Sequence, residues 1–389
     1  MDSFFLRRLS LLLIVLFATV LHAQPYSESS GGQAIIGSGN NDTTYYAPAF
    51  AYGETGCNKY DRFGNYITGQ CVYLYAQGDE SLSNPTYTDQ ILMFWNPNTW
   101  TGLTTQYAGP DRLLPSQDYL GNAHTTSHFF GHPSVFGYNG NYYMTAHESP
   151  DAVEFHKHWW GASADGKSWT WYPLFTYTGT GNLKIPGVTL QPRTVNGTLY
   201  FYGVMEIWSD AGIGLGAIRL RVNTSHARGY DLVEMYAGGA WSTVANSSNP
   251  NGNFNFIPDK LLDAGTNPKL LENSELWMTL NNRTRDCANC YNFSGTATAW
   301  GDRFAVRTLT VSSTLSAPPS FGSESLLQSS VRCMPSNYDN GRVYPMPLAT
   351  GSPRLLYSAT NDQDYSGGSY CTSTGTNTFP GMYIVVTGF

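Results

Sequence analysis

The feature that most constrains this chain is a unit that recurs five times along it. Each copy opens on a dipeptide ending in proline, continues as a short apolar run, reverses, and returns as a run rich in aromatic residues. The openings are Ala47-Pro48, His132-Pro133, Gln191-Pro192, Asn267-Pro268 and Met346-Pro347, spaced 59 to 85 residues apart. Proline lacks an N–H and belongs at a strand start or a sheet edge. Asn139-Gly140 and Asn196-Gly197 tolerate the positive φ of a tight hairpin. A third strand is predicted after each pair, over Gln90–Trp95, Trp159–Ser163, Leu215–Val222, Phe304–Val311 and Gly381–Thr387. Between copies, Ser163-Ala164-Asp165-Gly166 reads as a turn in which the Asp side chain accepts backbone hydrogen bonds. Repeated small sheets with a self-similar period predict an all-β fold, a five-bladed β-propeller. Two stacked sandwiches would not require a five-fold repeat.

Composition agrees with that fold class. Charged residues make up 13% of the 389 residues and aromatics 14%, with 40 glycines. This is the profile of a turn-rich β protein. The first 23 residues read as a secretory signal peptide: Arg7 and Arg8, an apolar run from Leu9 to Leu21, and Ala23 before the cut. The chain is therefore expected to be secreted or periplasmic, with no membrane contact after cleavage. Residues 24–44 form an N-terminal segment in which Gln33–Ile36 could supply the outer strand of the last blade. The propeller domain is expected over residues 45–389. Without Asp2, Arg7 and Arg8, 27 acidic and 19 basic residues remain, a net charge of −8. That balance, with no basic cluster, speaks against nucleic acid as a partner. The sequence leaves the oligomeric state open.

Six cysteines in an exported chain suggest disulfides. Neighbourhood in sequence favours Cys57–Cys71, Cys287–Cys290 and Cys333–Cys371, among 15 pairings. A Cys57–Cys71 bridge would pin the long first turn.

The segments His132-Pro133-Ser134-Val135-Phe136, Gly140-Asn141-Tyr142-Tyr143-Met144 and Ser163-Ala164-Asp165-Gly166-Lys167-Ser168-Trp169 resemble the five-bladed propellers of glycoside hydrolase families 43 and 32. The resemblance covers the blade pattern across most of the chain and is strongest in the second copy. It implies a carbohydrate-active protein whose partner is an oligosaccharide or polysaccharide. Those families carry an acidic triad at the openings of the first three inner strands. Here the corresponding positions read as Ala47, His132 and Gln191. None is a carboxylate, so the resemblance implies the fold and leaves the chemistry to other residues.

Hairpin geometry supplies candidates. A second strand returns to the end at which the first began, so residues after each aromatic run gather there. Glu148 and Glu206 are the expected catalytic pair, read as equivalent positions in adjacent blades, with Asp79 and Asp362 as substitutes. Two carboxylates of this kind could cleave a glycosidic bond. The competing reading makes each a strand-end residue. His132, His147, Gln191, Arg193, Trp208, Asn267 and Arg283 are the expected sugar-binding residues. No cofactor is required by any motif. Six histidines lie between His124 and His158, and two or three of them could hold a metal ion in or near the channel. The alternative is that they make hydrogen bonds or touch sugar.

Overall fold

The computed structural model describes residues 33–37, 45–52, 59–60, 66–67, 72–78, 90–96, 108–113, 128–149, 157–246, 248–263, 266–271, 276–282, 303–323, 325–326, 344–346, 354–359 and 381–386. Every regular element among them is a β-strand. The six cysteines, the first 32 residues, Asp79, Arg283 and Asp362 lie outside the described residues.

Five sheets follow one another along the chain. Sheet 1 runs Tyr45–Tyr52, Val72–Gly78, Gln90–Asn96 and Ala108–Leu113 in that spatial order. Sheet 2 runs Phe129–Tyr138, Asn141–Ser149, Lys157–Ser163 and Thr170–Tyr177, with Asn253–Phe254 added in parallel at its outer edge. Sheet 3 runs Val188–Val195, Thr198–Ser209, Gly212–Val222, Tyr230–Ala237 and Ala240–Asn246. Sheet 4 contains Thr266–Leu271, Leu276–Asn282 and Arg303–Thr310, with two short outer pieces. In sheet 5, Tyr344–Met346, Arg354–Ala359 and Gly381–Val386 are followed by Gln33–Gly37, which pairs antiparallel with Gly381–Val386. The third strands fall within three residues of the ranges read from the sequence.

The first strands contact one another in a cycle. Tyr45–Tyr52 lies against Phe129–Tyr138, and that strand against Val188–Val195. Val188–Val195 lies against Thr266–Leu271, which lies against Tyr344–Met346, which returns to Tyr45–Tyr52. Ser134, Thr189 and Leu270 link three of these strands. The Ser134 hydroxyl donates to Thr189 Oγ1 at 3.1 Å, and Thr189 Oγ1 accepts the Leu270 N–H at 3.1 Å. Apolar side chains fill the gaps between sheets. Tyr73, Tyr75, Met93, Phe130, Met144 and Trp159 pack between sheets 1 and 2. Phe136, Tyr143, Trp160, Phe175, Phe201, Met205 and Ile207 pack between sheets 2 and 3. Burying aromatic groups of this size supplies the main stabilisation of such a stack.

Both Asn-Gly pairs form the expected tight reversals, with φ of +51° and +76° at Asn139 and Gly140, and +48° and +78° at Asn196 and Gly197. Asp165 closes its turn by accepting the N–H groups of Lys167 at 2.8 Å and Ser168 at 2.7 Å. Burial would raise its pKa, but these bonds, with those from the Ser163 and Ser168 hydroxyls, prevail and hold the carboxyl below its ordinary range.

The repeated proline has two structural meanings. Ala47-Pro48, His132-Pro133 and Asn267-Pro268 each fall in a break of register, between Tyr46 and Ala49, Gly131 and Ser134, and Thr266 and Lys269. Each is a β-bulge, which unpairs the proline and bends the strand. Gln191-Pro192 is different. It pairs without interruption against Tyr202 and Phe201. Its strand has only one ladder partner along its length, so the missing N–H costs no ladder bond. Counted back from the two Asn-Gly turns, Gln191 matches Ser134. The sequence reading that equated Gln191 with His132 is corrected by this register.

Candidate functional site

The polar side chains of interest collect where the first strands begin and the second strands end. At this end of sheets 1 and 2, Glu148 is fully buried. Its Oε1 lies 2.7 Å from His128 Nδ1, and its Oε2 accepts the Trp159 indole N–H at 2.6 Å. Lys157 stands directly opposite Glu148 in the ladder, and Trp159 is opposite Ala146. Glu148 and Trp159 are thus diagonal neighbours on one face. That face meets sheet 1, because Met144, Ala146 and Trp159 share a core with Tyr73 and Tyr75. The Gln90 side-chain amide donates to the His128 carbonyl at 3.0 Å, fixing the backbone from sheet 1.

Next to it, the His132 bulge is clamped from two sides. His132 has φ of +52°, an uncommon conformation for a residue with a Cβ. Its N–H donates to Gln77 Oε1 at 2.8 Å. A Cβ at Gly131 would collide with the Gln77 side-chain amide, so glycine there makes room for the clamp.

Three histidines on three successive strands of sheet 2 converge on one short segment before sheet 3. His132 Nδ1 and His147 Nδ1 both bond the Pro186 carbonyl, at 2.7 and 2.9 Å. His158 Nε2 bonds the Ile185 carbonyl at 2.6 Å. The rings of His132 and His147 meet edge to face at 4.4 Å. A carbonyl only accepts, so each bonded nitrogen carries the proton. Burial pushes the His158 pKa down to about 4 against the opposing pull of its carbonyl bond, and holds the ring neutral. These three histidines are therefore hydrogen-bonded, in line with the second of the two sequence readings. Among the described residues no group of three or more His, Cys, Asp or Glu side chains is arranged to hold a metal ion.

Glu206 is also fully buried, and its Oε1 accepts the Trp208 indole N–H at 2.6 Å. Alternation along Thr198–Ser209 fixes its direction. Met205 and Ile207 face sheet 2, whereas Val204 packs with Leu215, Leu270 and Leu309 toward sheet 4. Glu206 shares the Val204 face. Glu148 faces sheet 1, so the two carboxylates point away from each other with the core of sheets 2 and 3 between them. The expectation that they hold equivalent positions is corrected: counted from the Asn-Gly turns, Glu206 matches Ser149.

The remaining candidates are dispersed. Gln191 is buried, and its amide donates to the Leu270 carbonyl at 3.4 Å. Arg193 is half-buried, its guanidinium 2.9 Å from the Pro192 carbonyl. Asn267 sits in the bulge of sheet 4. The structure thus brings His128, His132, His147 and Glu148 into one neighbourhood and leaves Glu206 and Trp208 on the far side of sheet 3. Sequence reading missed Gln77 and Gln90 as clamps, Trp159 as a carboxylate ligand, and Thr189 as a link. Their signal is the strand alternation that places Gln77 and Trp159 on the faces where sheets 1 and 2 meet.

No protein-family model matches the chain, and no curated protein matches it. Solved structures do. An alpha-L-arabinofuranosidase from Lactobacillus brevis is similar over 88% of this chain and 90% of its own, with 13% identity and a TM-score of 0.47. A GH43_1 enzyme from Xanthomonas citri, solved with xylose, is similar over 90% of both chains, with 12% identity and a TM-score of 0.47. A GH43 endo-arabinanase from Bacillus licheniformis is similar over 89% of this chain and 94% of its own, with 10% identity and a TM-score of 0.42. At these identities and scores no residue's role carries across. The chain resembles the GH43 arabinanases and arabinofuranosidases in fold, and in fold only.

Proposed function

We propose that this chain is an exported, carbohydrate-active five-bladed β-propeller, glycoside hydrolase-like in fold, that binds an oligosaccharide or polysaccharide where its first strands begin. The five sheets in cyclic contact are read as its blades. The observation that carries the binding reading is the gathering of imidazole, amide, carboxylate and indole groups around His128, Gln90, Glu148 and Trp159 at that end. This mixture suits a neutral polyhydroxyl ligand, which offers both donors and acceptors and an apolar C–H face. Export rests on the signal-like first 23 residues, and the cysteines are taken as structural bridges.

Hydrolysis by Glu148 and Glu206 is the second reading. A glycosidase needs two carboxyl groups about 5 to 9.5 Å apart across one bond. The opposed faces of Glu148 and Glu206 favour binding over cleavage by this pair. The test is a screen of the secreted protein against aryl-glycosides and polysaccharides, with binding read by calorimetry and turnover by reducing-sugar release. Binding without turnover is expected. Turnover abolished by both Glu148→Gln and Glu206→Gln would restore the catalytic pair. Neither binding nor turnover on any glycan would leave a structural or partner-binding scaffold. Sequencing of the secreted product should begin at Gln24.

A further inference from the structure

We propose that His128 is a sugar-contacting residue, and that Glu148, together with Trp159, positions it. The inference rests on the carbohydrate-binding reading and assigns that site its working group. Both oxygens of Glu148 are already engaged by directed donors, the His128 imidazole at 2.7 Å and the Trp159 indole at 2.6 Å. The carboxylate has no exposed surface, whereas 18% of the His128 side chain reaches solvent. Of this pair, only the imidazole can meet a ligand in solution.

The imidazole is also held in place. The Gln90 amide grips its backbone carbonyl at 3.0 Å. Phe130, two residues on, is buried and packs edge-on to Trp171 at 5.0 Å. A carboxylate on Nδ1 keeps the proton there and leaves Nε2 as the basic nitrogen of a neutral ring. That nitrogen is an acceptor matched to a sugar hydroxyl. A buried carboxylate is costly, and an apolar side chain would pack there at lower cost. Orientation of the imidazole is a return that packing cannot supply. Glu148 is thus a positioning residue, and His128 is the residue that touches the ligand.

The test uses the secreted protein and a panel of arabino-, xylo- and galacto-oligosaccharides. Diethyl pyrocarbonate should modify His128, as read by peptide mass spectrometry, and a bound oligosaccharide should slow that reaction at least fivefold. His128→Asn retains an amide donor for Glu148 but lacks the acceptor nitrogen. It should weaken binding about five- to tenfold, the equivalent of one hydrogen bond, with the melting temperature held. In imidazole ¹⁵N spectra, His128 should show the Nδ1–H tautomer. Glu148→Leu should lose that signature, and Glu148→Gln, which keeps one acceptor oxygen, should partly retain it. If Glu148→Leu fails to fold, the Gln variant alone decides, and an unchanged tautomer balance overturns the positioning role. If a glycan binds but leaves His128 unprotected, or if His128→Asn binds as the parent does, the contact role falls and the carbohydrate reading stands. If no member of the panel binds, both fall.

Discussion

The Tyr75 hydroxyl donates a 2.6 Å hydrogen bond to the Gly166 carbonyl, fastening sheet 1 to the turn between the last two strands of sheet 2. Gly166 has φ of +73°, and a Cβ there would press on the Tyr73 ring. Trp169 Nε1 shares the same carbonyl at 3.1 Å. Tyr75→Phe keeps the ring packing and removes one bond of the pair. A loss of about 1 kcal/mol is expected. Urea denaturation should show a lower midpoint with an unchanged slope.

Gly131 and Gln77 should behave as a coupled pair. Gly131→Ala displaces the Gln77 side chain and with it the acceptor of the His132 N–H. A cost of about 1 to 3 kcal/mol is expected. Gln77→Ala alone loses the bond but opens space. The double variant should then be less destabilised than the sum of the single variants, by about 0.5 kcal/mol or more. A double-mutant cycle on unfolding free energies measures this, and strict additivity would contradict the clamp.

Acid should weaken the fold through His158. Its folded pKa of about 4 lies below the model value of 6.5. Between these values the unfolded chain binds the extra proton, so stability is complete above about pH 6.5 and is lost as pH falls toward 4. The slope attributable to this one group approaches about 1.4 kcal/mol per pH unit within the window. Thermal melts from pH 7 to pH 4 should show it. His158→Gln, which keeps an amide donor for the Ile185 carbonyl, should flatten that part of the curve.

Arg219 should not tolerate lysine. Its guanidinium lies between Trp241 and Tyr200, 4.0 and 4.9 Å from the ring centroids. Its Nε donates to Glu234 at 2.8 Å and its NH1 to the Leu315 carbonyl at 2.7 Å. A lysine ammonium cannot stack flat between rings or make a forked contact. Arg219→Lys should cost about 1 to 3 kcal/mol. Protection of the Leu315 segment in hydrogen exchange should fall with it.

The comparison of sequence with structure is instructive at particular residues. The Asn139-Gly140 and Asn196-Gly197 hairpins and the third strands were legible because turn chemistry and alternation are local properties. The recurring proline was legible as punctuation, but its meaning was not. Whether Pro133 sits in a bulge and Pro192 in a ladder depends on the register of the returning strand. The same dependence hid the opposed faces of Glu148 and Glu206, since a slip of one residue moves a side chain to the other face. The histidine cluster was visible in composition. Its partners were not, because they are the main-chain carbonyls of Ile185 and Pro186, which no side chain advertises.

The pairing of Gln33–Gly37 with Gly381–Val386 has a consequence for biosynthesis. Of the described strands, the one that leaves the ribosome first is hydrogen-bonded to the one that leaves last. Sheets 2 and 3 can assemble from near neighbours while translation continues, but Gln33–Gly37 must wait through the synthesis of every other described strand. Loop-closure entropy makes such a contact slow to form. Until it forms, Gly381–Val386 presents an open edge to other chains. The vulnerable moment for this protein is therefore the interval just after synthesis, and a holdase that shields that edge is the assistance it would most need.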